Sequence, residues 1–337
     1  MVARDIWDVE AAGSNPVTPT NKETSFVLPW QKRFLCTMLV IGGFTRMTEF
    51  ENTVIGKSAI PAYIVTIVLM AVIVAITIIY WFKKHKQQIN VGYLIAGAIG
   101  FVVSARVLET IVHFIFIVSD NPASRFINGN TVAYVIYGTL MAGLFEEIGR
   151  FVILKYIVKK NRTRENAVLY GIGHGSIEII AVLVPSMVAY LAISIIFSVS
   201  DVESALSTLK ITEENAGTLL PTVQIAAKFD FTLMALNIIE RVFAICVHIG
   251  LTVIVYYGIV NAKKIFLPLA IVLHMAVDTL PALYQRGAVP LWSVEVWMAL
   301  WAVAIAFVAL KLYKKLEVTP ASECELYEEP ETENMNV

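Results

Sequence analysis

Seven stretches of this chain, at about residues 60–82, 93–118, 131–157, 166–198, 231–259, 265–284 and 290–312, are each apolar over most of their length. A helix needs about 20 such residues to cross the hydrocarbon core of a bilayer. Inside lipid every backbone N–H and C=O must be satisfied within the protein, so only helices and closed barrels can span. No segment shows the alternation of a membrane β-barrel strand. The expected fold is therefore all-α, a polytopic transmembrane helical bundle of about seven spans. Charged residues make up 16% of the 337, against about 25% in soluble domains. The deficit runs along most of the chain, which excludes a soluble domain with one anchor.

Lysines and arginines set the expected orientation. Lys83, Lys84 and Lys86 follow the first stretch, Lys159, Lys160, Arg162 and Arg164 the third, Lys263 and Lys264 the fifth, and Lys311, Lys314 and Lys315 come at the end of the seventh. The alternate connections hold only Arg125, Lys210, Lys228 and Arg286, beside several acids. The N-terminus is thus expected outside and the C-terminus in the cytoplasm, in a cell membrane of the bacterial cytoplasmic type. Residues 47–315 read as a single transmembrane domain. Between the fourth and fifth stretches, Asp201 to Asp230 reads as the longest polar loop. The fourth stretch is expected to kink or break at Pro185, and the sixth to unwind near Pro281.

The ends read differently. Residues 316–337 are acidic, with two prolines, and are expected to be a disordered cytoplasmic tail. Residues 1–46 are expected to be a non-native or disordered extension. "GSNPVTPT" (Gly13–Thr20) opens as a reading frame across GGT-TCG-AAT-CCN would, the T-arm sequence of transfer-RNA genes, which places the natural start at a later methionine such as Met47. The rival reading makes "FLCTMLVIGGF" (Phe34–Phe44) a signal-like or peripheral segment, too short to span.

The net charge of −1 argues against nucleic acid as a partner and leaves the lipid bilayer as the expected surroundings. Cys36, Cys246 and Cys324 lie far apart without metal-knuckle or CxxC spacing, so no disulfide framework is expected. No nucleotide or redox-cofactor motif is present.

Against this apolar background a few ionisable residues stand out. Each charge at the bilayer centre costs roughly 2.5–3.5 kcal/mol on insertion scales, so such residues mark function by default. "GLFEEIGRFVIL" (Gly143–Leu154) holds Glu146, Glu147 and Arg150. The second stretch has Arg106, Glu109 and His113, the fourth His174 and Glu178, the fifth Glu240, Arg241 and His248, and the sixth His274 and Asp278. Positions three or four apart share a helix face, so Arg150 can hold either Glu146 or Glu147. By the same spacing, His174 with Glu178, His274 with Asp278, and Glu109 with His113 are candidate imidazole–carboxylate pairs. Gly171 and Gly175 flank His174 in a GxxxG step that allows close helix approach. Bland readings stand beside these: a helix-to-helix clamp for Glu240/Arg241, a self-satisfied trio for Arg106/Glu109/His113, and a packed or water-facing ring for His248.

Four motifs, "EEIGR" (Glu146–Arg150), "GIGHGSIE" (Gly171–Glu178), "ERVFAI" (Glu240–Ile245) and "LHMAVD" (Leu273–Asp278), follow one another on successive spans. In that order they resemble the YhfC family of intramembrane proteases, a branch of the CAAX-protease and bacteriocin-processing superfamily, over about residues 50–315. The resemblance implies that Glu146 and His174 activate water, that His274 and Asp278 steady the oxyanion, and that Glu147 and Arg150 support Glu146. Glu178, Glu240, Arg241, His248 and Glu109 are the expected supporting residues. Two departures separate it from the CAAX branch: the arginine stands three after the second glutamate rather than four, and the second motif reads Gly-x-x-His. The CAAX branch's substrates are therefore not carried over.

The expected activity is hydrolysis of a peptide bond in a membrane protein or in a lipidated or membrane-associated peptide. A metal-free, glutamate-dependent site is favoured. If zinc is used, the sequence points to His174, His274 and Glu146, although no HExxH pair is present. The rival from another class is a non-enzymatic membrane protein, either a proton-linked transporter or a catalytically silent scaffold. The sequence shows no internal duplication of the kind transporters commonly carry.

Overall fold

A computed structural model describes residue 53, residues 55–159 and residues 162–316. The extension 1–46 and the tail from 317 onward lie outside the described residues. The described part is helical throughout, with no strand. In chain order the helices are α1 (Ala59–His85), α2 (Val91–Val118), the short α3 (Pro122–Gly129), α4 (Thr131–Ile157), α5 (Arg164–Val199), the short α6 (Val202–Thr208), α7 (Glu213–Lys228), α8 (Phe231–Val260), α9 (Phe266–Gln285) and α10 (Leu291–Lys315). Seven of them, α1, α2, α4, α5, α8, α9 and α10, are long and apolar enough to cross a membrane, within a few residues of the stretches read from the sequence.

One helix is central. The most apolar window of α8 is 67% buried inside the protein, against 22–39% for the other six. This helix packs against α5, α10, α9 and α1. The polar side chains of its buried stretch, Glu240, Arg241 and His248, therefore meet other helices rather than lipid or water.

The segment 201–230 departs from the expected loop. It forms α6 and α7, and Leu206, Leu219, Val223 and Ala226 enter the same apolar cluster as Tyr63, Tyr190 and Ile193. Apolar residues at 219, 220, 223 and 226 recur at helical spacing, so one face of α7 is buried. Asp201 and Asp230 cap the helices that follow them, accepting from Ser204 N (2.9 Å) and Leu233 N (2.8 Å).

The two prolines act differently: the α-helical bonding is interrupted just ahead of Pro185, as expected, whereas no unwinding follows Pro281. α5 continues to Val199, and a π-helical stretch at Ile179–Leu183, just ahead of Pro185, accommodates a residue that cannot donate a backbone hydrogen bond. α9 runs through Pro281 to Gln285. Pro281 removes only the bond to the carbonyl four residues back, and its ring is buried.

Candidate active site

Small residues bring the polar helices together. A Cβ at Gly173 of α5 would run into the Leu94 carbonyl oxygen of α2, and one at Gly171 would lie 2.7 Å from the Ile249 Cα of α8. A Cβ at Gly143 of α4 would come within 3.0 Å of the Ile271 carbonyl oxygen of α9. These close approaches place His174 between α2, α4 and α8, and set Glu146, Glu147 and Arg150 against α8 and α9. Glu147, Arg150 and His174 are wholly buried, and Glu146, His248, His274 and Asp278 are nearly so.

Three imidazole nitrogens converge on one carboxylate oxygen. Oε2 of Glu146 lies 3.2 Å from His174 Nε2, 3.7 Å from His274 Nε2 and 3.9 Å from His248 Nδ1. The surrounding contacts indicate which nitrogens carry protons. Arg150 Nη2 can only donate, and it stands 3.3 Å from His248 Nδ1, so that nitrogen presents its lone pair. His248 Nε2 then donates to Glu178 Oε2 at 2.7 Å. On α9, His274 Nδ1 donates to Glu147 Oε1 at 2.8 Å, leaving Nε2 turned toward Glu146 and toward Asp278 Oδ2 at 3.7 Å. Arg150 donates to the same Glu147 oxygen from within α4.

Behind His248, Arg241 donates to Glu240 and lies 3.5 Å from Glu178 Oε1. The cluster opens on a cavity of about 130 Å³. Its walls carry four carboxylates (Glu109, Glu146, Glu178 and Asp278) and two guanidiniums (Arg106 and Arg241), so negative charge is in excess when the histidines are neutral. Lone pairs and a carboxylate meeting in a low-dielectric interior favour a cation between them.

The donor set matches one class of cation. Glu146, His174 and His248 each offer a ligand atom, and the three atoms lie within 4.8 Å of one another. One carboxylate and two imidazoles are typical ligands of a catalytic zinc ion, so these residues fit a divalent metal. The group differs from the zinc set read from the sequence, with His248 in place of His274.

Other pairings also differ from helical spacing. His174 does not pair with Glu178 but bonds Glu146 across helices, and Glu178 serves His248 and Arg241. His274 stands nearer to Glu147 than to Asp278. His248, read as packed or water-facing, is instead held at the centre of the cluster, its ring centroid 4.8 Å from that of His174. Spacing along α8 gives no signal for it, because its partners Glu178, Arg150 and Glu146 all stand on other helices. Glu109, on the cavity wall, pairs one turn along its own helix with His113 at 3.1 Å, as the spacing suggested, and His113 in turn meets Tyr137.

A sequence profile described as YhfC intramembrane metalloprotease matches residues 69–298. An "Uncharacterized membrane protein YhfC" of Bacillus subtilis (strain 168) is 31% identical over 221 residues, 65% of this chain and 83% of the relative. No solved structure matches the chain. With the profile extending over more than half of its length, the chain belongs to the YhfC intramembrane metalloprotease family.

Proposed function

We propose that this protein is an intramembrane endopeptidase that hydrolyses a peptide bond of a membrane protein or membrane-associated peptide at the cluster around Glu146. The observation that carries the reading is the convergence of His174, His248 and His274 on Glu146 Oε2 beside a cavity. Glu146, His174 and His248 would hold a zinc ion. Zinc bound there supplies a Lewis acid and a water whose pKa is lowered toward neutrality.

The chain's own residues do the rest. Glu147, held by Arg150, fixes the His274 ring through Nδ1 so that Nε2 faces the cavity. His274 takes a proton from the attacking water at Nε2 and returns it to the leaving amide nitrogen. Asp278, close to the same nitrogen, stabilises the imidazolium formed in between. The apolar walls formed by Phe101, Val182, Val247 and Met298 limit water around the scissile bond. The order of the motifs supports placing the chain in the wider CAAX-protease and bacteriocin-processing superfamily.

A second reading has its own observation. The 3.2 Å contact of His174 Nε2 with Glu146 Oε2 suits a metal-free site in which Glu146 is the base, polarised by His174, and His274 with Asp278 faces the oxyanion. Purified protein in detergent, stripped with a chelator and reloaded with zinc, separates the two on a membrane-embedded peptide reporter. Activity that disappears and returns is expected, and activity unchanged by stripping selects the metal-free reading. Comparing membrane proteomes of cells carrying the wild type or Glu146→Gln identifies the substrate. If Glu146→Gln and His174→Ala both process membrane proteins as wild type does, the protein is not a protease of either kind.

A further inference from the structure

We infer that Glu178 is a positioning residue for the metal: it selects the nitrogen with which His248 faces the site. The inference rests on the proposed metal-holding role of Glu146, His174 and His248. An imidazole offers one lone pair when neutral, and a carboxylate bonded to one nitrogen fixes the lone pair on the other. Glu178 Oε2 is 2.7 Å from His248 Nε2, a bond across two helices, which leaves Nδ1 directed at Glu146. Glu147 does the same to His274 from the opposite nitrogen, so two carboxylates on different helices turn two rings inward on one point.

The position of Glu178 has a second consequence. Its other oxygen lies 3.5 Å from Arg241, which is wholly buried and also donates to Glu240. The guanidinium holds Glu178 in place, so His248 is oriented by a carboxylate that is itself anchored. Arg150, donating to His248 Nδ1, fills the same lone pair with a positive group. Metal entry therefore requires that this hydrogen bond be released, while the Glu178 bond on the far nitrogen is kept.

The test uses the full-length protein in detergent and zinc or cobalt(II) alone as the probe. Zinc affinity is measured by competition with a chromophoric chelator, and ligand geometry by the visible absorption of the cobalt form. Glu178→Ala is expected to weaken zinc binding 10–100-fold, the range found for lost outer-shell partners, and to alter the cobalt spectrum. Glu178→Gln, whose amide oxygen can still accept from Nε2–H, is expected to recover most of that loss. If Glu178 served only to neutralise Arg241, Glu178→Ala would lower the unfolding temperature and leave zinc affinity and the cobalt spectrum unchanged, which overturns the inference. A wild type that binds no stoichiometric zinc overturns the metal reading, and the inference with it. A wild type that binds zinc beside a Glu178→Ala variant of equal affinity overturns the inference alone.

Discussion

Glu147 on α4 and His274 on α9 meet with Oε1 and Nδ1 2.8 Å apart, and Arg150 donates to that same oxygen. This three-way contact joins two helices through groups with almost no exposed surface. It also separates the adjacent glutamates by role: Glu147 faces a guanidinium and an imidazole, whereas Glu146 faces three imidazoles.

Removing Arg150 is expected to be costly. Breaking a buried ion pair by deleting one partner leaves an uncompensated charge, at about 3–5 kcal/mol. Arg150→Met is therefore expected to destabilise the protein by an amount of that order. Arg150→Lys keeps the charge but loses the planar fork that reaches both Glu147 and His248, and is expected to fall between. Unfolding of the detergent-solubilised protein, followed by circular dichroism, measures both. A Met variant as stable as the wild type would show that the pair does not hold α4 in place.

The two histidine choices for the metal give opposite outcomes. The compact donor group holds His248, not His274. His248→Ala is expected to lose stoichiometric zinc, because it removes one of the three residues proposed to hold the ion. His274→Ala is expected to keep zinc and lose turnover. Metal analysis after gel filtration reads the first, and cleavage of a reporter peptide the second. The reverse pattern would restore the set suggested by the sequence.

The sequence made the spans legible because hydropathy over about 20 residues reports directly on lipid exposure. It also picked out the ionisable residues within the spans, most of which are buried, since polar groups are rare in such segments. It did not show who pairs with whom. His174 and Glu178 share a helix face by spacing, yet each turns to another helix, Glu146 for one and His248 for the other. Choosing between a partner one turn away and one across an interface depends on helix rotation, which here is set by Gly171 and Gly173 contacting α8 and α2. In segment 201–230 the polar residues mask the apolar face of α7.

Those glycines carry their own prediction. Any side chain at Gly173 must displace the Leu94 backbone of α2, so Gly173→Ala is an overpacking change. Such changes typically cost about 1–3 kcal/mol, and here the shift falls on the residue next to His174. Gly138 is the control: it lines the cavity, and a Cβ there meets nothing within 4 Å. Gly138→Ala is expected to change the unfolding midpoint little, apart from intrinsic helix propensity. Equal effects at the two positions would contradict the packing of α5 on α2.

The orientation of the bundle can be settled by fusion reporters, with consequences for the site. Lys83, Lys84 and Lys86, Arg162 and Arg164, Lys263 and Lys264, and Lys314 and Lys315 all fall on one side if α1, α2, α4, α5, α8, α9 and α10 each cross. By the positive-inside bias that side is expected to be cytoplasmic. Green fluorescent protein fused after Leu316 is expected to fluoresce, and alkaline phosphatase inserted at 287–289 to be active. Glu146 stands 15 residues along α4 from Thr131 and 11 before Ile157, and His174 is 10 residues into α5 from Arg164. At 1.5 Å per residue both lie nearer to the ends of their helices expected to be cytoplasmic. Substrate bonds cut by this cluster are then expected just inside the cytoplasmic half of the membrane. Mass spectrometry of fragments from a reporter peptide locates the cut. Cleavage near the opposite surface, or phosphatase activity at the C-terminus, would reverse the assignment.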